Sequence, residues 1–194
     1  MIASKDRSDF FGASDTKIIM GKWQGKTFEK WWLTKLGLYS SHFSTVYTLA
    51  GTHYEHRIAD EIENILRDQV ERDTQFILLE YALRVNLDAN TAKTIYEIKT
   101  YKDKGEDWQP LKEYVMQVRV QMWSAEKYYG RPFDGFIVAY PLTDENYKNF
   151  LLEIDRNKIK FFKIEQDEAF IREYEKRLKT LCACLDTGAL PVLG

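Results

Sequence analysis

The spacing of apolar residues along the chain predicts several amphipathic helices. Apolar side chains recur three or four positions apart over residues 55–73, which predicts a long helix with one buried face. The same period recurs in shorter stretches near both ends of the chain. The predicted helices cover residues 15–20, 27–36, 55–73, 111–129 and 168–185.

Between these helices, β-branched and aromatic side chains predict strands. Residues 76–85 and 94–99 have the composition that is typical of strands. Residues 86–90, Asn-Leu-Asp-Ala-Asn, separate them and favour a turn through local side-chain hydrogen bonds. The sequence therefore predicts an antiparallel hairpin with Asp88 near the end of one strand.

The order of elements predicts the fold class. After the hairpin come a polar loop over residues 101–110, a helix, strands over residues 133–140 and 159–164, and a final helix. This order predicts an α/β fold in which a mixed central sheet is flanked by helices. Length and a hydrophobic content of 44% predict one globular domain over residues 1–194.

Composition sets the expected location of the protein. No apolar run approaches the roughly 20 residues of a membrane span, and the first residues lack the apolar stretch of a secretion signal. The two cysteines, Cys182 and Cys184, are too close in sequence to staple a fold. We therefore expect no membrane partner and a cytoplasmic location.

The net charge of −2 argues against a protein that coats nucleic acid by charge alone. Residues 5–35 nevertheless carry three more basic than acidic side chains, so any contact with DNA must rest on local charge. A solvated helix face explains Lys22, Lys26 and Lys30 equally well.

The candidate chemistry lies at Asp88 and in the segment from Glu97 to Lys99. Side chains alternate along a strand, so Glu97 and Lys99 point the same way while Ile98 points into the core. With Asp88, Glu97 forms an oxygen-rich site for a hard cation such as Mg²⁺, to which the backbone carbonyl of Ile98 adds a further ligand. Lys99 is placed to orient a water or to stabilise charge on a phosphate. A solvated Glu-x-Lys pair is the alternative.

Four segments, in this order, resemble the PD-(D/E)xK nuclease superfamily and, within it, the lambda-type exonucleases, also called YqaJ-type viral recombination nucleases. The superfamily's proline is replaced by Leu87, which leaves the neighbouring carboxylate in place. The segments are residues 7–15, Arg-Ser-Asp-Phe-Phe-Gly-Ala-Ser-Asp; residues 51–55, Gly-Thr-His-Tyr-Glu; Asp88 with Glu97-Ile98-Lys99; and residues 114–123, with Gln117-Val118 and Met122-Trp123.

The resemblance implies a restriction-endonuclease-like core and assigns roles to individual residues. Asp88 and Glu97 would bind Mg²⁺, with Mn²⁺ as a substitute, and Lys99 would assist the attacking water. Arg7 and Ser14 would hold a terminal phosphate of the DNA. The implied catalytic set is Glu55, Asp88, Glu97, Lys99 and Gln117.

Simple structural roles compete at four of these positions. Glu55 is expected in the first turn of a helix, where an acidic side chain favours the helix dipole. Gln117 also suits an exposed helix position, Ser14 suits a helix N-cap, and Arg7 lies close enough to the terminus to be disordered.

The implied function is a Mg²⁺-dependent DNA exonuclease that degrades linear double-stranded DNA 5′-to-3′ and leaves 3′ single-stranded tails. The implied partners are double-stranded DNA ends, a single-strand annealing recombinase and further copies of this chain in a ring. A phage or prophage origin would place the protein in the host cytoplasm. Two alternatives stay open: an endonuclease or nickase of the same superfamily, and a catalytically inactive nuclease-like DNA-binding module.

Overall fold

One mixed sheet organises the chain in the computed structural model, which describes residues 8–39 and 45–193. The six strands are β1 (Phe11–Gly12), β2 (Glu71–Leu78), β3 (Leu83–Asn90), β4 (Thr94–Lys102), β5 (Asp134–Leu142) and β6 (Lys160–Ile164). The α-helices of the described residues are α1 (Thr16–Ile19), α2 (Lys26–Lys35), α3 (Val46–Leu66), α4 (Lys112–Tyr129) and α5 (Glu168–Thr187).

The strand order mixes parallel and antiparallel neighbours, as predicted. The sheet runs β1-β3-β4-β5-β6, and β2 pairs with β3. The pairs β1/β3 and β4/β5 are parallel, whereas β2/β3, β3/β4 and β5/β6 are antiparallel. A helix, α4, connects the parallel strands β4 and β5, which is the usual way to join such a pair.

Apolar side chains fill both faces of this sheet. Ile95 and Ile137 belong to a cluster that also contains residues of α2, α4 and α5. Ile98 and Val138 belong to the same strands but point to the opposite face of the sheet, where they join a second cluster with residues of α3. Ile98 is therefore in the core, as its place in the strand predicts. Within the described part of the chain, no helix is long and apolar enough to cross a membrane.

The turn predicted over residues 86–90 is wrong, because these residues form the second half of β3. Strand β2 pairs with β3 from Leu83 to Asn90, and this pairing overrides the local preference of Asn and Asp for a turn. The chain reverses instead at residues 91–93, where the Thr91 N–H donates to the Thr94 carbonyl at 2.9 Å. Asp88 consequently lies within a strand.

The helix predicted over residues 55–73 lies further towards the N-terminus. Thr45 caps α3, since its side chain accepts the Thr48 N–H at 3.2 Å. The helix ends at Leu66, and Arg67 adopts a left-handed conformation with φ 54°. Glu55 therefore lies in the middle of α3, so the role predicted for it in a first helical turn is wrong.

A close approach at Gly135 of β5 brings α4 against the sheet. A Cβ atom at this position would lie 2.6 Å from Cγ1 of Val118 and would also overlap the Met122 side chain. Glycine thus permits the helix to lie near β5, and the same helix carries Gln117 and Gln121 towards β4.

Candidate active site

The candidate site lies where strands β3 and β4 separate. The two strands pair through Ala89 with Tyr96 and through Asn90 with Ile95. Beyond these pairs the Asp88 side chain replaces a backbone partner, because its Oδ2 accepts the Ile98 N–H at 2.8 Å. Asp88 is thereby held beside the segment that contains Glu97.

Glu97 is surrounded by hydrogen-bond donors. Its side chain is 2% exposed. Its Oε1 accepts from Lys99 Nζ and, at 2.6 Å, from Gln117 Nε2. Its Oε2 accepts from Gln121 Nε2 at 2.5 Å. The carboxylate is therefore buried with donors on both of its oxygens, which is the condition under which a charged group is tolerated inside a protein.

A groove beside these carboxylates brings together several residues that are distant in sequence. It has a volume of about 550 Å³. Glu55 reaches it from α3, Asp88 from β3 and Gln117 from α4, and Ser14 lies at its wall. Further lining residues are Gly12, Ala13, Thr52, His56, Asp73, Arg84 and Asn86.

The carboxyl groups at the groove and beside it act on one another. Burial, then the charges of Glu97 and Glu55, raise the pKa of Asp88 well above its ordinary value. Burial and the charge of Glu97 also raise the pKa of Glu55. For Lys99, burial alone would lower the pKa, but the carboxylates of Glu97 and Asp88 outweigh it and raise the pKa. Lys99 therefore stays charged, and the site concentrates negative charge that a cation would relieve.

The oxygen donors at Asp88 and Glu97 fit a hard divalent cation. Both carboxylates and the Ile98 carbonyl are the kind of ligand that Mg²⁺ and Mn²⁺ prefer. Residues 8–39 and 45–193 contain no group of three or more His, Cys, Asp or Glu side chains that could hold a metal ion by themselves. The residues present suit an ion that keeps several waters and shares phosphate oxygens, as Mg²⁺ does.

The segment proposed for phosphate binding is partly described. Ser14 is exposed at the groove wall, and Arg7 lies outside the described residues. Asp15 accepts the Gly12 N–H at 2.8 Å and forms an ion pair with Lys35 at 2.6 Å, both side chains being buried. The acidic side chain beside Ser14 is therefore buried and neutralised by Lys35, and it does not line the groove.

The groove and its surroundings also contain residues that the sequence motifs did not predict. Arg84 and Asn86 lie on the same strand face as Asp88, since all three occupy alternate positions of β3. Gln121 lies four residues after Gln117 and contacts the same carboxylate. Helical periodicity could have indicated Gln121. Strand alternation could have indicated Arg84 and Asn86, but only if residues 86–90 had been predicted as a strand.

The mixed central sheet with its flanking helices has the restriction-endonuclease-like fold. Solved structures share the fold. One is the alkaline exonuclease LHK-Exo from Laribacter hongkongensis, with TM-score 0.70 and 18% identity over 94% of this chain and 90% of that one. A structure of LHK-Exo in complex with dAMP gives a TM-score of 0.68, with the same identity and coverage.

A second similar protein is a phage-related exonuclease from Haemophilus somnus 129PT. Its structure gives a TM-score of 0.67 and 15% identity over 92% of this chain and 94% of that one. The predicted fold class is therefore confirmed, and the neighbours are consistent with the resemblance to lambda-type exonucleases. No protein-family model matches the sequence, and no curated protein matches it either.

Proposed function

We propose that this protein is a divalent-cation-dependent DNA exonuclease. The observation that carries the proposal is the buried pair of Asp88 and Glu97, with Lys99 beside it, at the point where two strands separate next to an open groove. Proteins of the same fold that are named exonucleases support it.

The side chains divide the work of phosphodiester hydrolysis. Asp88, Glu97 and the Ile98 carbonyl would hold Mg²⁺ or Mn²⁺. When bound, the ion supplies an acidified water and neutralises charge on the scissile phosphate. Lys99, charged and in contact with Glu97, orients the attacking water or stabilises the negative charge that develops. Glu55 and Gln117 complete the polar wall of the site.

The groove also suggests how a DNA end is held. Ser14 and Arg84 line it together with Asp88, so a phosphate bound between them would lie in the same groove as the proposed cation. Arginine is well suited to phosphate because its guanidinium donates two parallel hydrogen bonds. We propose that this end of the groove, with Arg7, holds the terminal phosphate.

The direction of degradation and the biological setting follow from the resemblance. We propose 5′-to-3′ degradation of linear double-stranded DNA, which leaves 3′ single-stranded tails for an annealing recombinase. The same resemblance leads us to propose a ring of several copies, a phage or prophage origin and action in the host cytoplasm. A ring would let a chain with net charge −2 surround DNA with its local basic residues.

A digestion assay tests this function. A linear duplex is labelled at its 5′ ends in one sample and at its 3′ ends in another, and is incubated with Mg²⁺ or with EDTA beside a closed circular duplex. We expect Mg²⁺-dependent loss from the 5′ ends and an intact circle. Cutting of the circle would favour the endonuclease or nickase. DNA binding without cleavage in Mg²⁺ or Mn²⁺ would favour an inactive binding module.

A further inference from the structure

Gln121 is a fully buried amide that contacts the proposed cation ligand Glu97. Its exposed fraction is 0%. Its Nε2 donates to Glu97 Oε2 at 2.5 Å and to the Asn86 carbonyl at 3.3 Å. Both of these atoms can only accept, so the amide nitrogen must face them, and the orientation of the side chain is fixed by its surroundings.

This orientation has a cost. With the nitrogen facing Glu97, Gln121 Oε1 is buried and has no hydrogen-bond partner among the described residues. A buried polar atom without a partner is unfavourable, and such atoms in folded proteins call for an explanation. An apolar side chain of the same size would leave no buried oxygen without a partner, but it could not donate to Glu97. The hydrogen bond to Glu97 is therefore the reason we see for an amide at this position.

The two oxygens of Glu97 have different surroundings. Oε1 accepts from Lys99 and from Gln117, and Gln117 lines the groove. Oε2 accepts from Gln121, which is closed off from solvent. A carboxylate oxygen has about two acceptor positions, so the donors Lys99 and Gln117 occupy both of them at Oε1, and a cation bound to Oε1 would have to displace one of these donors.

We infer that Gln121 is a positioning residue that anchors Glu97 from the inner side, whereas Gln117 is an exchangeable donor that yields Oε1 to the cation. This inference rests on the proposed function, because it assigns Glu97 to the cation. Gln121 keeps its bond to Oε2 in both states, and so keeps Oε1 directed towards Gln117, which lines the groove. Partners of a metal-binding side chain commonly affect metal affinity in this way.

A measurement of Mg²⁺ affinity distinguishes the role of Gln121 from that of Gln117. We would titrate the full-length protein with MgCl₂ by calorimetry, comparing the wild type with Gln121→Met and Gln117→Met, which have similar size and no amide donor. We expect Gln121→Met to weaken Mg²⁺ binding by about 10- to 100-fold. We expect Gln117→Met to bind Mg²⁺ as tightly as the wild type or more tightly, since a competitor has been removed.

A matched control comes from the same helix. Ser124 is buried on α4, and its hydroxyl has no hydrogen-bond partner among the described residues, so it donates to none of the proposed ligands. Ser124→Ala should leave both Mg²⁺ binding and nuclease rate unchanged. Circular dichroism of each variant checks that the fold is intact.

A structure of the wild type with Mg²⁺ tests the inference without a substitution, and so also covers a Gln121→Met variant that does not fold. We expect the bond from Gln121 to Oε2 to persist and the bond from Gln117 to Oε1 to be broken. The reverse pattern, or equal weakening of Mg²⁺ binding by both methionine variants, would overturn the inference. A wild type that binds Mg²⁺ at Glu97 but degrades no DNA would instead count against the proposed function.

Discussion

At the scale of residues, the two carboxylates of the site are stabilised to different degrees. Glu97 accepts from three side chains, whereas Asp88 accepts the backbone N–H of Ile98. Burial and neighbouring carboxylates accordingly raise the pKa of Asp88. Ionised Asp88 therefore costs folding free energy in the absence of a cation, which is the kind of destabilisation that functional sites retain.

Substitution of Asp88 tests this cost through pH. Because its pKa is higher in the folded state, the stabilisation from Asp88 is complete below its unfolded pKa of about 4 and is lost as pH rises through the folded pKa. In EDTA, Asp88→Asn should therefore melt several degrees above the wild type at pH 8, with a smaller gain at pH 5. Melting curves at both pH values measure this. A variant less stable than the wild type at pH 8 would contradict it.

Lys99 offers a second test because its proposed role concerns the water and the phosphate and not the cation. Lys99→Met should retain Mg²⁺ and DNA binding while the cleavage rate falls by about 10²- to 10³-fold, as is usual when one such donor is removed. Single-turnover digestion and a DNA-binding assay measure the two quantities separately. Lys102→Met, on the same strand but exposed and paired with Asp144, is the control. A rate for Lys99→Met equal to that of the wild type would exclude this role.

At the scale of elements, local periodicity predicted the parts of the site that lie within one strand or helix. Alternation along 97–99 predicted that Glu97 and Lys99 share a side, and their contact agrees. The helix predicted over 111–129 matches α4 closely. The turn predicted over residues 86–90 is wrong because pairing with β2, which is a long-range contact, decides their conformation. The role of Gln121 likewise depends on how close α4 lies to β4.

Gly135 tests that close approach of α4. Because a Cβ atom there would overlap Met122 and Val118, Gly135→Ala should destabilise the fold by about 1–3 kcal/mol, as overpacking commonly does. Urea unfolding measures the loss. The control is Gly105→Ala, at a position where the added methyl group meets nothing, although its positive φ of 72° carries a backbone cost of its own. A smaller loss for Gly135→Ala than for Gly105→Ala would contradict the packing argument.

At the scale of the whole molecule, the predicted α/β fold is confirmed by its strand order and by solved exonucleases of the same fold. The fold could be predicted from the sequence because four segments that resemble one nuclease superfamily occur in that superfamily's order along most of the chain. The direction of DNA degradation, the number of copies in an assembly and the choice of a protein partner depend on surfaces that are formed only with DNA or with further copies of the chain. They therefore remain predictions from the resemblance.

The most direct test of the proposed active site is hydrolysis of a linear DNA duplex by the wild type, Asp88→Asn and Glu97→Gln, each with Mg²⁺ and with EDTA. We expect the wild type to release nucleotides only with Mg²⁺, and both variants to lose this activity while they stay folded. Undiminished hydrolysis by either variant, or by the wild type in EDTA, would contradict the assignment of Asp88 and Glu97 to a cation-dependent active site.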